Sequence, residues 1–284
     1  MVATLTTVLL TWAVQSPGTR PSEALKLELR LDRPQLGPIE PLAFTLVLSN
    51  PSTADVGGLA KFADYKTTTV EYLAPGSSAW RALQVPRLNL SMLKTPVGEP
   101  NVQRLEAKGS KSVQLSALVD LDRRRETGAY AYYFTKPGDY RLRATYRPPG
   151  GETIQSNEVR FKVVEYTGVD LQAHEWLRHR PIPHFMYDFD VYADGSAHET
   201  DDDAREVLSR FPTSRFAPWA RLFLARCYVF GVRRSPTRTD APDLAKASDL
   251  ASELARSDLP RIRAAASQVL AEIEMKRKSV NPHR

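Results

Sequence analysis

The chain has 284 residues, a length that favours two folded domains over one. Apolar residues make up 42% and charged residues 25%, which is typical of a folded globular protein and excludes wholesale disorder, a collagen-like fibre and a membrane-helix bundle. The net charge of +6 is spread thinly, because residues 1–165 contain 21 basic against 16 acidic side chains, and residues 166–284 contain 18 against 17. This distribution argues against nucleic acid as a partner.

The amino terminus has an apolar run over residues 5–14, with no charged residue before Arg20. The run is too short to span a bilayer and is typical of the apolar region of a secretory signal. Small residues suited to cleavage occur at Ala13 and Ala24. Because no lysine or arginine precedes the run, a buried first strand is the alternative. We predict a signal peptide over residues 1–23 and export to the periplasm or exterior, with no integral membrane segment in the mature chain.

Residues 24–165 show the alternation of apolar and polar side chains that is typical of half-buried β-strands. The alternating apolar residues are Leu25, Leu27, Leu29 and Leu31; Phe44, Leu46 and Leu48; Val70 and Tyr72; Val113 and Leu115; Tyr140, Leu142, Ala144 and Tyr146; and Val159, Phe161 and Val163. Turn residues such as Pro137 and Gly138 separate these runs. About seven short strands with frequent turns predict an antiparallel β-sandwich.

Two segments of this region resemble the immunoglobulin-like (Ig-like) domains of bacterial extracytoplasmic proteins. Residues 42–50 resemble the second strand and its asparagine-containing end, and residues 138–143 resemble the penultimate strand, with Tyr140 just after the turn. The resemblance implies an Ig-like sandwich over residues 24–165, in which Tyr140 can form a tyrosine corner. The paired cysteines of antibody domains are absent from the sequence. Such sandwiches host unrelated functions, so the resemblance implies no activity.

After Glu165 the apolar residues recur at intervals of three or four, which is typical of amphipathic helices. The strongest helix is predicted over residues 217–230, with Ser214 as a cap and Gly231 at its end. Other helices are predicted to start at Asp170, at residues 200–203, at Asp240 and at Asp258. The basic residues 276–278 fit the C-terminal end of the last helix.

Residues 211–228 resemble the second-helix segment of tetratricopeptide-like (TPR-like) repeats in exported bacterial proteins. The similarity consists of a helix end, a turn with Pro212 and Ser214, and a helix with alanine, leucine and tyrosine at its packing positions. It implies a helical-hairpin, TPR-like domain over residues 166–284, although a strict repeat of about 34 residues is absent. An ordinary helical bundle is the alternative. The predicted fold class is therefore a multidomain protein, all-β followed by all-α.

The sequence contains no motif that predicts catalysis. Nucleophile elbows, phosphate loops and dinucleotide fingerprints are absent, and the single Cys227 excludes an intrachain disulfide. The five histidines lack metal-ligand spacing. We predict no enzymatic activity, no cofactor and no metal site. A carboxylate pair that acts on envelope polymers is kept as a residual hypothesis, because such pairs are assembled in space.

Residues 188–203 are rich in acidic side chains and loosely resemble a calcium loop. The EF-hand order is not met, since Tyr192 occupies an acidic position and no glycine lies at the sixth. A solvated loop followed by an acidic helix start is the interpretation that we adopt, and calcium binding is the alternative.

Five apolar side chains near this loop form a candidate interaction surface: Phe185, Met186, Tyr187, Phe189 and Tyr192. A loop this apolar either packs into the seam between the two domains or marks a contact site. The concave side of a helical stack is the alternative docking surface, because repeat-like helices bind peptides and proteins there.

Together these observations predict a non-catalytic, exported adaptor that binds another protein or an envelope component. The alternative hypothesis is that loops of the sandwich inhibit a protease, with residues 85–109 as the inhibitory loop. Neither hypothesis identifies the ligand.

Overall fold

The computed structural model describes residues 25–60, 62–64, 66–85, 102–120, 131–180, 184–187, 200–235 and 238–280. The N-terminal part of the chain is rich in β-strands and the C-terminal part is mainly helical, as the hydrophobic spacing predicts. The described helices include none that is both long enough and apolar enough to cross a membrane.

A three-stranded antiparallel sheet contains β1 (Lys26–Leu31), β3 (Leu42–Ser49) and β8 (Ser110–Ala117), with β3 in the centre. Leu29 lies opposite Leu46 in the register of β1 and β3, and both side chains are buried. Because successive residues of a strand point to opposite faces, the alternating leucines of β1 and β3 cover the inner face of this sheet. These three strands were predicted.

A six-stranded sheet is built around β11 (Gly138–Tyr146). Its other strands are β2 (Gln35–Leu36), β5 (Thr68–Leu73), β6 (Arg81–Ala82), β12 (Ile154–Gln155) and β13 (Val159–Val163). Strand β11 pairs antiparallel with β5 and β13, whereas β2 runs parallel to β13. The inner side chains of both sheets belong to one apolar cluster, which contains Leu46, Leu142 and Phe161.

Tyr140 stabilises the start of β11 by packing and by a hydrogen bond. Its ring stacks on Phe161 with centroids 5.3 Å apart, and its hydroxyl donates a hydrogen bond to the carbonyl oxygen of Lys136 at 2.9 Å. This bond joins the tyrosine to the backbone four residues upstream, across the turn at Gly138. A bond of this kind, back across the turn, is what the Ig-like resemblance makes possible for Tyr140.

Two short strand pairs complete the β-rich region: β4 (Val56–Ala60) with β7 (Val102–Leu105), and β9 (Val119–Asp120) with β10 (Ala131–Tyr132). Strand β7 falls within residues 85–109, which the alternative hypothesis interprets as one long inhibitory loop. That interpretation is wrong for β7, because its backbone is paired with β4. Residues 86–101 of the same stretch lie outside the described residues.

The helical region contains α1 (Gly168–Arg178), α2 (His184–Tyr187), α3 (Thr200–Arg210), α4 (Ala217–Phe230), α5 (Leu244–Leu254) and α6 (Pro260–Val280). Helix α4 packs against α3, α5 and α6, and α5 also packs against α6. Buried alanines at Ala220, Ala247, Ala251 and Ala266 allow these helices to approach closely.

The prediction that residues 166–284 contain only helices is wrong in one place. A hairpin of β14 (Val232–Ser235) and β15 (Arg238–Asp240) lies between α4 and α5. Gly231 ends α4 with a φ of 79° and leads into this hairpin, a conformation that favours glycine. The hairpin was missed because its strands are too short and too polar for an apolar period to be visible.

Three predicted helix caps also differ from the structure. The N-cap residue of α1 is Thr167, and Asp170 instead accepts a hydrogen bond from the backbone N–H of Arg215 at 2.8 Å. Ser214 donates its hydroxyl to the carbonyl oxygen of Phe211 rather than capping α4. Helix α5 is capped by Asp243, whose side chain accepts from the N–H of Lys246, so that it begins later than predicted. In the first two cases a tertiary or local contact competes for the same polar group.

The β-rich and helical regions meet at a buried seam, which we define as Ile39, Glu40, Leu118, Tyr166 and Phe216. The four apolar members belong to the main cluster of the helical region, although three of them precede its first helix. The Tyr166 ring lies 5.5 Å from the Phe216 ring, and its hydroxyl donates to the carbonyl oxygen of Pro38 at 2.9 Å. Burial raises the pKa of this hydroxyl far above its ordinary range.

Charged groups also cross the seam. The Glu40 carboxylate has no exposed side-chain area, and it forms ion pairs with Arg33 of the β-rich region and with Arg215 of the helical region. The Arg215 Nε atom lies 3.2 Å from Glu40 Oε1. Near the start of α6, Arg261 donates to the carbonyl oxygen of Leu115 at 2.8 Å. The two regions are therefore connected by apolar packing, ion pairs and hydrogen bonds.

Candidate functional site: a groove on the helical region

The candidate interaction surface from the sequence is only partly described by the structure. Phe185 and Met186 lie in α2 and are buried in the cluster of the helical region, where α2 contacts α3 and α4. These two side chains are interior, and so neither offers a surface to a partner. The backbone of Tyr187 ends α2, whereas its side chain, Phe189 and Tyr192 lie outside the described residues.

The acidic stretch over residues 188–203 is also only partly described by the structure. Asp188, Asp190, Asp194 and Glu199 lie outside the described residues. Asp203 lies in α3 and forms an ion pair with Arg180, with 2.5 Å between Oδ1 and Nη1. Burial raises the pKa of the Asp203 carboxyl, an effect that the hydrogen bond and charge of Arg180 oppose. Within the described ranges, no three His, Cys, Asp or Glu side chains are grouped so that they could hold a metal ion.

A groove lies where α3 and α5 flank α4, and we call it the helical groove. Its volume is about 370 Å³, and it is lined by Arg205, Leu208, Leu224, Tyr228, Lys246, Asp249 and Leu250. This volume is near the lower end of the range of about 300–1,000 Å³ for ligand sites. The groove therefore suits a short segment better than a large cofactor.

Helical spacing places the lining side chains together. Leu224 and Tyr228 are four residues apart on α4, Arg205 and Leu208 are three apart on α3, and Lys246 and Leu250 are four apart on α5. Residues at these intervals share one face of a helix. Each flanking helix thus presents one leucine and one cation to the groove, and α4 supplies the floor.

The floor of the groove is apolar and incompletely covered. Leu224 is buried, whereas Leu208, Tyr228 and Leu250 are half-buried and pack against the cluster of the helical region. Apolar surface that remains in contact with water favours binding of a partner that covers it, by about 25 cal/mol for each square ångström. The three half-buried side chains therefore provide a surface on which an apolar side chain can bind.

The rim of the groove is charged, with two cations and one carboxylate among the lining residues. Arg205 donates to the Tyr228 hydroxyl at 3.1 Å, and its guanidinium lies 5.6 Å from the Tyr228 ring centroid. The Lys246 ammonium also lies 5.6 Å from this ring, and it forms an ion pair of 3.1 Å with Asp243. Lys246 donates hydrogen bonds to the Asp243 carboxylate from its backbone N–H and from its side chain. Both bonds lower the pKa of the Asp243 carboxyl, and the backbone bond has the larger effect.

The side chains that line the groove offer apolar contact and charge. Among the described residues that line the groove, none is a serine, cysteine or histidine. The Tyr228 hydroxyl is paired with a guanidinium rather than with a base. The groove therefore combines an apolar floor with a charged rim, and an apolar centre with a polar rim is also the pattern of protein–protein interfaces.

The sequence offers the concave side of the helical stack only as an alternative docking surface and does not identify the lining residues. Leu208 and Leu250 each lie at the edge of the apolar stripe of their helix, next to the exposed Arg205 and Asp249. Such edge positions are visible in a helical projection. Which edges face one another depends on how α3 and α5 pack on α4, and this packing is a tertiary property.

Comparison with known proteins yields only partial structural overlaps. No family model matches the chain, and no curated protein matches it. An alkylpurine DNA glycosylase from Pseudomonas fluorescens, solved with DNA containing an abasic site analog, overlaps 49% of this chain and 30% of its own, at 12% identity and a TM-score of 0.27. A mutant β-glucosidase from Listeria innocua overlaps 51% of this chain and 16% of its own, at 12% identity and a TM-score of 0.28.

A CARDB domain from Pyrococcus furiosus, solved with di-metal ions, overlaps 50% of this chain and 94% of its own, at 13% identity and a TM-score of 0.25. The chain spans less than a third of the length of the first structures that it matches. Overlaps with such low TM-scores do not indicate the fold, the activity or the ligand of this chain.

Proposed function

We propose that the chain is an exported, non-catalytic adaptor that binds a segment of a partner protein in the helical groove. The observation that carries this proposal is the combination of a half-buried apolar floor with a charged rim on three packed helices. Export is part of the proposal on the basis of the amino-terminal sequence, and residues 1–23 lie outside the described residues.

The finer fold assignment belongs to the same proposal. An Ig-like sandwich is supported by the alternating strands, by the shared core of the two larger sheets and by the hydrogen bond of Tyr140 across its turn. A TPR-like arrangement is supported by the sequential packing of α3, α4, α5 and α6, with buried alanines between helices. On this proposal the seam holds the sandwich and the helical stack together while the helical groove stays open.

The proposed occupant of the groove is a short acidic segment with one bulky apolar side chain. Arg205 and Lys246 lie on opposite flanks, and only Asp249 among the lining residues carries a negative charge. Carboxylates on the partner complement these cations, and an apolar side chain between them covers Leu208 and Leu250. The small volume limits the buried part of the segment to a few side chains.

Selection from a peptide library on the full-length chain tests this proposal. We expect the selected peptides to share one bulky apolar residue flanked by aspartate or glutamate. The double variant Arg205→Glu and Lys246→Glu should weaken their binding by about tenfold or more, because each reversal places like charges together. The control is the double variant Arg256→Glu and Lys278→Glu, which makes the same charge change at exposed positions away from the groove.

Fluorescence anisotropy with one selected peptide gives the comparison directly. The proposal predicts that the control variant binds as the unmodified chain does and that the groove variant does not. Equal affinity of the two variants, or selected peptides without acidic residues, would contradict the assignment of the groove.

A further inference from the structure

A second concave site lies on the outer face of the six-stranded sheet, away from the helical groove. It has a volume of about 580 Å³, and we call it the basic cavity. Its lining residues are Pro34, Asp139, Tyr140, Arg141, Arg160, Phe161 and Lys162. Three of the four charged side chains in this lining are cations.

The register of β11 and β13 explains why these cations gather. Arg141 lies directly opposite Arg160, and Asp139 lies directly opposite Lys162. The intervening Tyr140 and Phe161 are buried in the core, so the charged residues between them point outward. Like charges directly opposite one another on a sheet are destabilising, because their side chains are only about 5 Å apart at Cβ.

The charges of this face are only partly neutralised within the described residues. Arg141 forms an ion pair with Glu158 at 3.3 Å, and both side chains are exposed. Neither Arg160 nor Lys162 belongs to an ion pair of the described parts of the chain, and Asp139 does not approach Lys162 closely enough to form one. The cavity thus holds two cations that form no ion pair with any of the described residues, although the Asp139 carboxylate also lines it.

Arginine and lysine in this arrangement are suited to an oxyanion with more than one negative charge. A guanidinium donates two parallel N–H bonds to a phosphate, and an ammonium adds a point charge. A bound phosphate between Arg141 and Arg160 would replace their mutual repulsion with attraction to a shared anion. The paired carboxylate of Glu158 is exposed, so it is able to move aside as the anion enters.

We propose that the basic cavity is a binding site for a phosphate-bearing ligand, held by Arg141, Arg160 and Lys162. The phosphate belongs either to a small soluble molecule or to a lipid headgroup, since the same three cations recognise both. This proposal is independent of the helical groove, because it rests on different residues in a different region of the fold.

Calorimetric titration of the full-length chain with pyrophosphate tests the site, at constant ionic strength set with sodium chloride. In a parallel arm the chain is sedimented with vesicles of phosphatidylglycerol, and vesicles of phosphatidylcholine serve as the uncharged control. We expect binding in at least one of the two phosphate arms. Binding of pyrophosphate alone indicates a soluble ligand, and binding of the anionic vesicles indicates a headgroup.

The variant Arg160→Gln should weaken this binding by about tenfold or more, because it removes a charge-assisted pair of hydrogen bonds. The matched control is Arg256→Gln, an exposed arginine in the helical region. Arg160 is exposed and lies opposite Arg141, so the variant should unfold at the same denaturant concentration as the unmodified chain or at a slightly higher one. The proposal is overturned if neither pyrophosphate nor anionic vesicles bind, or if both substitutions weaken binding equally.

Discussion

Glu40 joins the two regions through ion pairs of its buried carboxylate. Its carboxylate is fully buried between Arg33, which is contributed by the β-rich region, and Arg215, which precedes α4. Burial of a charge is costly unless it is paired, and here both partners are supplied by different parts of the chain. The carboxylate therefore ties the position of one region to that of the other.

Substitution of Glu40 by glutamine should destabilise the protein strongly. The change leaves two guanidiniums at the seam without their carboxylate, and loss of one member of a buried ion pair costs about 3–5 kcal/mol. Urea unfolding followed by circular dichroism measures this cost. The control is Glu28→Gln, which breaks an exposed ion pair with Arg30. This variant should unfold at nearly the same urea concentration as the unmodified chain. Equal midpoints for the two variants would refute the role of Glu40.

Ile39, next to Glu40, has a backbone conformation that few residues of its type adopt. Its φ is 58°, in the left-handed region that is unfavourable for β-branched side chains, and the residue is buried in the cluster of the helical region. Strain of this kind persists only where the surrounding packing compensates for it. The seam is thus fixed at two consecutive residues, by packing at Ile39 and by charge at Glu40.

At the scale of secondary structure, the larger elements follow from local sequence. The strands β1, β3 and β11 and the helix α4 each contain a sustained apolar period, so their type is set before any tertiary contact. The elements that were missed include the short strands β2, β4, β7, β9, β10 and β12, the hairpin of β14 and β15, and the short helix α2. Strands of three or four residues contain too few side chains to define a period, and their pairing depends on neighbouring strands.

The segment between β2 and β3 provides a test at this scale. Gly37 lies close to the Tyr166 ring, and a β-carbon at this position would overlap ring atoms. We expect Gly37→Ala to destabilise the protein by roughly 1–3 kcal/mol, because the side chain that fills the seam must shift. Thermal unfolding of this variant should be compared with that of Gly57→Ala.

Gly57 is the matched control, because a β-carbon there meets no atom within 4 Å. This substitution should leave the melting temperature unchanged or raise it slightly, since alanine lowers the conformational freedom of the unfolded chain. If both variants melt at the temperature of the unmodified chain, Tyr166 does not pack on Gly37 as described.

At the scale of the whole molecule, the seam joins regions whose periodicities alone would suggest two separate bodies. The sequence predicts the change from strands to helices near residue 166, but it does not reveal the contacts that hold the regions together. Ile39, Leu118 and Tyr166 lie outside the strands, in turns or between strand ends, where no period marks them. A buried Glu40 also contradicts the ordinary preference of carboxylates for solvent, so its position follows only from the tertiary structure.

The positions of the two candidate sites also depend on tertiary contacts that the sequence pattern does not reveal. The apolar residues that the sequence favours as a contact surface include Phe185 and Met186, which the structure buries, because apolar composition alone does not distinguish a core from a contact surface. The helical groove and the basic cavity each arise where residues from different elements meet. On our account the molecule presents two binding surfaces on connected regions, which is the arrangement that an adaptor requires.

Hydrogen–deuterium exchange of the full-length chain, with and without a peptide selected from the library, tests the account most directly. Bound peptide should slow the exchange of backbone amides in α3 and α5 around Arg205, Leu208, Lys246 and Leu250, and should leave β1, β3 and β11 unchanged. Protection confined to the β-rich region, or unchanged exchange in both α3 and α5, would contradict the helical groove as the partner-binding site.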